Sequence, residues 1–277
     1  MGPPLTDFST PAPIFGLDRQ ASGAGSPAIS VVAPMFDEEG GAARLVVEIA
    51  NALKGHAFEI IAVDDCSRDR TVAALRAAQA TVLQLRVVTH GKNAGQSRAV
   101  RTGVLASTAP VVVTIDGDGQ NDPADILALY GALTRPDAPS MLSMVGGERR
   151  NRQDSASKRG ASALANRIRR RILDDGAADT GCGLKAFYRN AYLRLPYFDH
   201  NHRYLPALMR REGFEIEFLP VNHRPRAFGT SKYTNLGRLS VAFSDLFGVV
   251  WLKARARAPV TISELEPSAS YGNERSD

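Results

Sequence analysis

The chain has 277 residues, of which 44% are apolar and 23% charged, a size that fits one large domain or two small ones. Lys and Arg number 34 against 29 Asp and Glu, and the surplus is concentrated in residues 149–171, where nine basic side chains accompany one acidic one. The two cysteines exclude a disulfide-rich secreted scaffold, and no uninterrupted apolar stretch reaches the roughly 18 residues that a bilayer-spanning helix requires.

Apolar runs alternate with amphipathic segments from residue 29 onward, after a leader rich in Pro, Gly, Ser and Ala that we predict to be disordered over residues 1–28. The predicted strands are Ile29–Ala33, Phe58–Val63, Leu85–Thr89 and Val111–Ile115, and the predicted helices are Glu38–Leu53, Thr71–Ala80, Ala94–Ala106 and Pro123–Leu133. This alternation is typical of an α/β fold in which helices cover both faces of a mostly parallel sheet.

The second half of the chain alternates less regularly. It predicts strands over Met141–Val145 and Phe214–Val221, a basic helix over Ser157–Ile172 and an amphipathic helix over Leu236–Trp251. We therefore divide the chain into the leader, a single α/β domain over residues 29–235, an amphipathic helical segment over residues 236–258 and a disordered acidic tail over residues 259–277.

Polar side chains follow each of the first four predicted strands. They are Asp37, Glu38 and Glu39, then Asp64 and Asp65, then Lys92 and Asn93, and finally Asp116, Asp118 and Gln120. A single acid in such a position can simply cap a helix. Ligands of open α/β sheets, however, bind beyond the carboxyl ends of the strands, so four polar strand ends together predict one binding cleft.

The segment Asp116-Gly117-Asp118-Gly119-Gln120 is the most specific part of this predicted cleft. Two carboxylates two residues apart, with glycines that allow a tight turn, can reach one hard cation such as Mg²⁺ or Mn²⁺, and Gln120 adds a neutral oxygen. A calcium loop is excluded because its twelfth position would be Leu127 instead of a bidentate Glu. The sequence also lacks a P-loop and a Gly-x-Ser-x-Gly nucleophile motif.

Two further groups of residues give weaker signals. Cys182 and the histidines at 200, 202 and 223 lack the spacing of a zinc site. The basic segment from Arg149 to Ile172 points to phosphate or an anionic membrane surface, and it contains no aromatic residues that would favour nucleic acid as a partner.

Seven short motifs occur along the chain. They are Pro34-Met35-Phe36-Asp37-Glu38, Val63-Asp64-Asp65-Cys66-Ser67, Asn93-Ala94-Gly95, Asp116-Gly117-Asp118-Gly119-Gln120, Gly147-Glu148-Arg149, Asp179-Thr180-Gly181-Cys182-Gly183 and Arg226-Ala227-Phe228-Gly229-Thr230-Ser231-Lys232. In this order they resemble the motifs of family-2 glycosyltransferases with the GT-A fold, especially the polyprenyl-phosphate sugar transferases of the dolichol-phosphate mannose synthase type. The resemblance covers about residues 28–255. Asp37 departs from it, standing where the family usually has Asn, and the transmembrane pair of many bacterial members is missing.

The resemblance implies a role for each matched position. Pro34, Phe36, Glu38, Val63 and Asp65 would hold the base and ribose of a nucleotide sugar, and Asp116, Asp118 and Gln120, with Gly117 between them, would bind a metal that bridges the diphosphate. Arg149, Arg226 and Lys232 would neutralise donor and acceptor phosphates, and Lys158, Arg159 and Ser162 would contact the acceptor phosphate. Asp179 would be a general base, as in relatives with hydroxyl acceptors, or would orient the sugar or a phosphate-binding Arg. Asp118, Arg149 and Asp179 are thus the candidate catalytic residues.

The implied function is inverting transfer of a sugar from a nucleotide sugar to a polyprenyl (dolichyl or undecaprenyl) phosphate at the cytoplasmic face of a membrane, with Mg²⁺ or Mn²⁺ as cofactor. The chain would be cytoplasmic and peripherally associated, reaching the anionic surface through the basic helix and through Phe243, Phe247, Val250 and Trp251, or through an integral membrane partner. The alternative for these four apolar residues is that they pack on the sheet as part of the core. A hydroxyl acceptor on a glycan or lipid and an inactive nucleotide-sugar-binding adaptor are the alternatives.

Overall fold

A computed structural model of the chain describes residues 26–149, 172–177, 179, 181–225 and 235–256, with side chains from residue 244 onward in the last of these segments. Seven strands form one sheet. They are β1 (Ile29–Met35), β2 (Phe58–Asp64), β3 (Leu85–Thr89), β4 (Val111–Thr114), β5 (Leu142–Arg149), β6 (Lys185–Tyr188) and β7 (Glu215–Val221). Their order across the sheet is β3-β2-β1-β4-β6-β5-β7. Strand β6 is antiparallel to both of its neighbours, and all other pairs are parallel.

The helices connect these strands. They are α1 (Ala42–Ala52), α2 (Thr71–Gln79), α3 (Gln96–Ala106), α4 (Ile126–Thr134), α5 (Arg189–Leu193), α6 (Leu205–Arg211) and α7 (Asn235–Ala254), and short 3-10 turns cover Pro123–Asp125 and Asn201–Arg203. The predicted cap at Asp122 is present, because its carboxylate accepts a hydrogen bond from the Ala124 N–H at 3.0 Å.

The core lies along the central strands. Val31, Ile60 and Val113 are fully buried, as are most of their strand neighbours. Continuous runs of β-branched residues suit strands that helices cover, so alternation of polar and apolar residues is absent there. The mostly parallel α/β sheet predicted from the sequence is thereby confirmed.

Three elements escaped the sequence prediction, namely β6, α5 and α6. In addition, β5 continues to Arg149, four residues beyond the predicted end at Val145, because Gly146 to Arg149 pair with β7. The predicted basic helix falls mostly outside the described residues, as do most of the leader and the acidic tail.

Helix α7 is attached to the domain by one face. Val249 is fully buried, the Arg211 guanidinium donates to the Leu252 carbonyl at 3.0 Å, and His200 Nδ1 lies 3.1 Å from the Asp245 carboxylate. Phe247 and Trp251, in contrast, are 71% and 59% exposed. Among the described residues, no helix is both long enough and apolar enough to cross a membrane.

Of the four apolar residues assigned to a membrane-facing surface, two are exposed on α7. Val250 is partly buried and packs against the core, which is the reason that it contributes little to the exposed face. The side chain of Phe243 lies outside the described part of the helix.

Candidate active site

The carboxyl ends of β1, β2 and β4 meet at one edge of the sheet. Met35 pairs with Asp64 across β1 and β2, and the N–H of Ile115 donates to the Val32 carbonyl at 3.0 Å just beyond the end of β4. Parallel strands in this register place the segments that follow them side by side. The structure therefore brings the predicted residues of the first, second and fourth strand ends together.

The turn after β1 depends on Asp37. This residue adopts a left-handed conformation with φ of 51°, its N–H donates to Ser67 Oγ at 2.9 Å, and its carboxylate accepts from the Arg68 N–H at 2.7 Å. Asn and Asp both tolerate this conformation and both offer an acceptor oxygen. The departure from the family's usual Asn therefore preserves the turn that carries Phe36 and Glu38.

Asp65 ties the end of β2 to the loop before α3. Its two carboxylate oxygens accept hydrogen bonds from the N–H groups of Ala94 and Gly95 at 2.9 and 2.8 Å, and His90 Nδ1 lies 2.7 Å from one of them. The Asn93 side chain also donates to the Asp65 carbonyl at 2.9 Å. In the structure Asp65 thus orders this loop, and its contact with a nucleotide stays a prediction.

Asp116 is held in place from two sides. The side-chain amide of Gln96, at the start of α3, donates to its carboxylate at 2.8 Å. Gly183 lies against the other side, since a Cβ built on that glycine would fall 2.2 Å from the carboxylate. The antiparallel register of β4 and β6, in which Thr114 pairs with Lys185, produces this close approach.

The carboxyl group of Asp116 has an unusual proton affinity. Burial, and secondly the charge of Asp118, raise its pKa from 3.8 to about 6, although Lys185 and Arg149 act in the opposite direction. A buried acid beside a second carboxylate is a natural site for a cation, which would offset the negative charge there.

The rest of the loop after β4 is tightly folded. The Asp118 carboxylate accepts from the Gln120 N–H at 3.1 Å, and Gly119 has a φ of 71°. A Cβ on Gly117 would lie 2.5 Å from the Pro34 carbonyl oxygen, so glycine there lets the loop pack against the end of β1. Packing against β1 thus explains why position 117 is a glycine, and its predicted proximity to a nucleotide sugar is a separate matter.

The carboxylates of Asp116 and Asp118 fit a divalent cation that takes its remaining ligands from a substrate. Within the described residues, no group of three or more His, Cys, Asp or Glu side chains could hold a metal ion by itself. Asp116 and Asp118 would supply two hard oxygen ligands, and Mg²⁺ or Mn²⁺ ordinarily completes such a set with water and phosphate oxygens.

Arg149, at the end of β5, forms a bidentate ion pair with Asp179. Its Nε and Nη2 atoms lie 2.5 and 2.8 Å from the two carboxylate oxygens, and the Gly181 N–H also donates to Asp179 at 3.1 Å. Burial alone would lower the pKa of Arg149, but the hydrogen bonds to Asp179 hold it above its ordinary value. Both side chains are largely buried, so the guanidinium is fixed in position and charged.

Sequence reasoning missed several polar residues near Asp116. A cavity of about 20 Å³ is lined by Pro34, Gln96, Asp116, Lys185 and His202, among others. Gln96 and His202 stand outside the strand-end pattern, and β6, which carries Lys185, was not predicted. Burial lowers the pKa of His202 well below its ordinary value, which leaves a neutral ring that contacts Ser97 Oγ at 2.6 Å.

Arg224 anchors the segment that leads toward the last motif. Its guanidinium donates to Glu48 and Asp122 at 2.6 Å each, and its N–H donates to the Gln120 carbonyl at 2.8 Å. The segment thus runs beside the loop of the two acids. The predicted phosphate-binding residues Arg226 and Lys232 lie outside the described residues, as do Lys158, Arg159 and Ser162.

Residues 30–195 match the sequence pattern of Glycosyl transferase family 2. The chain belongs to this family. A dodecaprenyl-phosphate galacturonate synthase of Rhizobium johnstonii is 33% identical to this glycosyltransferase over 236 residues, which cover 83% of the chain and 68% of the relative. An undecaprenyl-phosphate 4-deoxy-4-formamido-L-arabinose transferase of Klebsiella pneumoniae is 30% identical over 218 residues, which cover 78% of the chain and 65% of the relative. The chain spans about two thirds of the length of these relatives.

Solved structures support the same assignment at the level of the fold. Glucosyl-3-phosphoglycerate synthase from Mycobacterium tuberculosis in complex with UDP superimposes on this glycosyltransferase with a TM-score of 0.60 and 18% identity, covering 82% of this chain and 80% of the other. The complex of the same enzyme with Mn²⁺, UDP and glucosyl-3-phosphoglycerate gives a TM-score of 0.62 and covers the same fractions of the two chains. The GT-A fold expected from the motifs is confirmed.

Replacing Gly183 with Ala in this glycosyltransferase tests the clamp on Asp116. The added methyl group would occupy the position of the Asp116 carboxylate, which must then move. We expect Mn²⁺-dependent nucleotide binding, measured by calorimetry, to weaken at least tenfold, a loss of about 1.4 kcal/mol.

Gly131→Ala is the matched control, because a Cβ at that position in α4 meets nothing within 4 Å. It should leave binding unchanged and stabilise the helix by roughly 0.5–1 kcal/mol. Unaltered binding in the Gly183 variant would contradict the positioning of Asp116 by the loop that precedes β6.

Proposed function

We propose that this chain transfers a sugar from a nucleotide sugar to a polyprenyl phosphate, with inversion and with the help of Mg²⁺ or Mn²⁺. The observation that carries the proposal is the diacid pair Asp116 and Asp118 at the end of β4, with the fixed guanidinium of Arg149 close enough for its charge to act on Asp116. This arrangement matches a departing diphosphate, which requires a cation and fixed positive charge.

The donor half of the reaction follows from these residues. As the bond between the anomeric carbon and the diphosphate oxygen breaks, the electron pair stays with the nucleoside diphosphate. Arg149 faces this growing negative charge from a position that Asp179 holds in advance, so little reorganisation is needed. A divalent cation bound to Asp116 and Asp118 would supply further stabilisation of the same charge.

The acceptor half is supported by the pairing of Asp179. Both of its oxygens are engaged with Arg149, an arrangement that favours the orienting role over the role of general base. A phosphate monoester has a second pKa near about 6 and is largely a dianion at neutral pH. Its oxygen can form the new bond to the anomeric carbon without losing a proton, so no base is needed for this acceptor.

The relatives support the same class of acceptor. Both curated relatives carry a polyprenyl phosphate in their names, dodecaprenyl phosphate in one and undecaprenyl phosphate in the other. The sugars in the two names differ, so the proposal extends to the lipid phosphate and leaves the sugar open.

The location at a membrane surface is supported by α7. Phe247 and Trp251 stand one helical turn apart and are exposed, and the exposed Arg255 follows them, whereas the ammonium of Lys253 donates to the Leu173 carbonyl. The Arg255 guanidinium lies 5.9 Å from the Trp251 ring. Exposed aromatic side chains beside a basic one are suited to the interface of an anionic bilayer, and we propose that the protein acts at the cytoplasmic face.

Replacing both exposed aromatic residues, by Phe247→Gln and Trp251→Gln, tests this surface. We expect sedimentation with anionic liposomes at low salt to fall at least tenfold, because the inserted apolar area is lost. Leu83→Gln is the control, since Leu83 is 87% exposed in the loop before β3, away from α7. Equal sedimentation of the double variant and the wild type would remove α7 from the membrane contact.

The function itself is tested with a panel of nucleotide sugars, Mn²⁺ and undecaprenyl phosphate in detergent. Transfer to the lipid phosphate with one donor is expected, and undecaprenol is the matched acceptor that lacks the phosphate. Transfer to undecaprenol or to a glycan hydroxyl would favour the hydroxyl-acceptor alternative. Nucleotide-sugar binding without turnover toward any acceptor would favour the inactive adaptor.

A further inference from the structure

Lys185 is a buried charge that the proposed chemistry does not use. It is 5% exposed, at the start of β6 in the interior of the sheet, and its ammonium donates to the Cys182 carbonyl. An ammonium group has three donors, and one neutral carbonyl does not offset the cost of removing a full charge from water. An apolar residue at this position would stabilise the core more than a buried Lys does, so the reason for the charge is something other than core stability.

The surroundings of Lys185 identify that reason. Lys185 pairs with Thr114 across β4 and β6, two residues before Asp116, and both Lys185 and Asp116 line the same cavity. The other polar side chains that line this cavity, Gln96, Thr114 and His202, have a neutral amide, a hydroxyl and a neutral ring. Burial lowers the pKa of Lys185, while its interactions with Cys182, Asp116 and Asp179 raise it and that with Arg149 lowers it further.

We infer that Lys185 is a positioning residue that makes the diacid site select a divalent cation together with a nucleoside diphosphate over the cation alone. The inference rests on the proposed function and concerns the same site. The ammonium of Lys185 offsets the negative charge of Asp116 from inside the sheet. Because it is buried and covalently attached, this positive charge stays in place whether or not a metal ion is bound.

The balance of fixed charges explains the selection. Asp116, Asp118 and Asp179 contribute negative charge, and Lys185 and Arg149 contribute positive charge. A divalent cation without a nucleotide is therefore bound only weakly, because the two positive side chains largely cancel the attraction of the acidic ones. A nucleoside diphosphate brings several additional negative charges, and these are attracted by the same two cationic side chains that oppose the metal.

Lys185→Met tests the inference, because it removes the charge and keeps a chain of similar length. With Mn²⁺ alone, followed by calorimetry, we expect binding about tenfold tighter than in the wild type. With UDP as the probe at saturating Mn²⁺, we expect binding about tenfold weaker. A purely structural role would weaken both, so shifts in opposite directions are the distinguishing result.

Two further variants keep the test decisive. Thr114→Val removes the hydrogen bond from Thr114 in β4 to the Gly183 carbonyl just before β6 without changing charge, and it should not produce opposite shifts. Lys185→Gln retains a donor for the Cys182 carbonyl and should reproduce the shifts of the Met variant, which provides for the case that Lys185→Met does not fold.

The wild-type protein gives an independent measurement. We expect Mn²⁺ to bind at least tenfold more tightly in the presence of UDP or GDP than in its absence, and equal affinities would overturn the inference. Failure of the wild type to bind either nucleotide with Mn²⁺ would overturn the proposed function as well. Normal wild-type binding, with both affinities weakened or unchanged in the Lys185 variants, would overturn the inference alone.

Discussion

Asp116→Asn is expected to abolish sugar transfer and, at the same time, to stabilise the metal-free protein. The pKa of Asp116 is raised from 3.8 to about 6 by burial and by Asp118, so the folded state resists ionisation of this group. Its contribution to stability is complete below about pH 4 and is lost as the pH rises through 6. At pH 7 the ionised carboxylate therefore costs up to roughly 3 kcal/mol, which the Asn variant avoids.

The measurement is urea unfolding of the metal-free protein at several pH values, together with a transfer assay. The stability advantage of Asp116→Asn should be greatest at pH 7 and should shrink toward pH 4. Asp118→Asn is the comparison, because it removes the neighbouring charge but leaves Asp116 buried, and it should abolish transfer with a smaller gain in stability. An Asp116→Asn variant that is less stable than wild type at pH 7 would contradict the assignment.

The second large effect is expected at the ion pair between Arg149 and Asp179. Asp179→Asn and Arg149→Lys each break the bidentate geometry, and we expect each to lower kcat/KM for transfer to a lipid phosphate by about a hundredfold. Because the two residues act as one unit, the double variant should be little worse than either single one.

The pH profile separates this role of Asp179 from general-base catalysis. An orienting residue leaves the shape of the kcat profile unchanged when it is replaced by Asn, while loss of a base removes the limb that reports its ionisation. Additive losses in the double variant, or a flattened profile in Asp179→Asn alone, would return Asp179 to the role of base.

The sequence predicted the first half of the fold well, for a simple physical reason. Strands β1, β2 and β4 are buried runs of β-branched residues, and each is followed by polar side chains such as Asp65 and Asp116. Once such strands are parallel, their carboxyl ends share an edge, so the neighbourhood of these residues follows from the pattern alone.

In the second half, β5, β7 and α7 were predicted, but β6 and the two short helices α5 and α6 could not be obtained in this way. Strand β6 has four residues and begins with a buried Lys, so it carries no periodic signal. Its antiparallel direction depends on tertiary packing, and that direction sets Gly183 against Asp116. The sequence likewise could not identify Arg149 as the partner of Asp179, since the two residues of this ion pair are 30 positions apart.

The position of β4 and β6 at the middle of the sheet divides the molecule into two portions that can vary separately. On one side, β1 and β2 carry the residues predicted to hold the base and ribose, and on the other, β5 carries Arg149. A chimaera that takes residues 140–225 from a relative would combine a new portion carrying β5, β6 and β7 with the unchanged portion carrying β1 to β4. Its success would depend on a few contacts across the boundary, among them Thr114 with Gly183 and Ser97 with His202, which would have to be carried along.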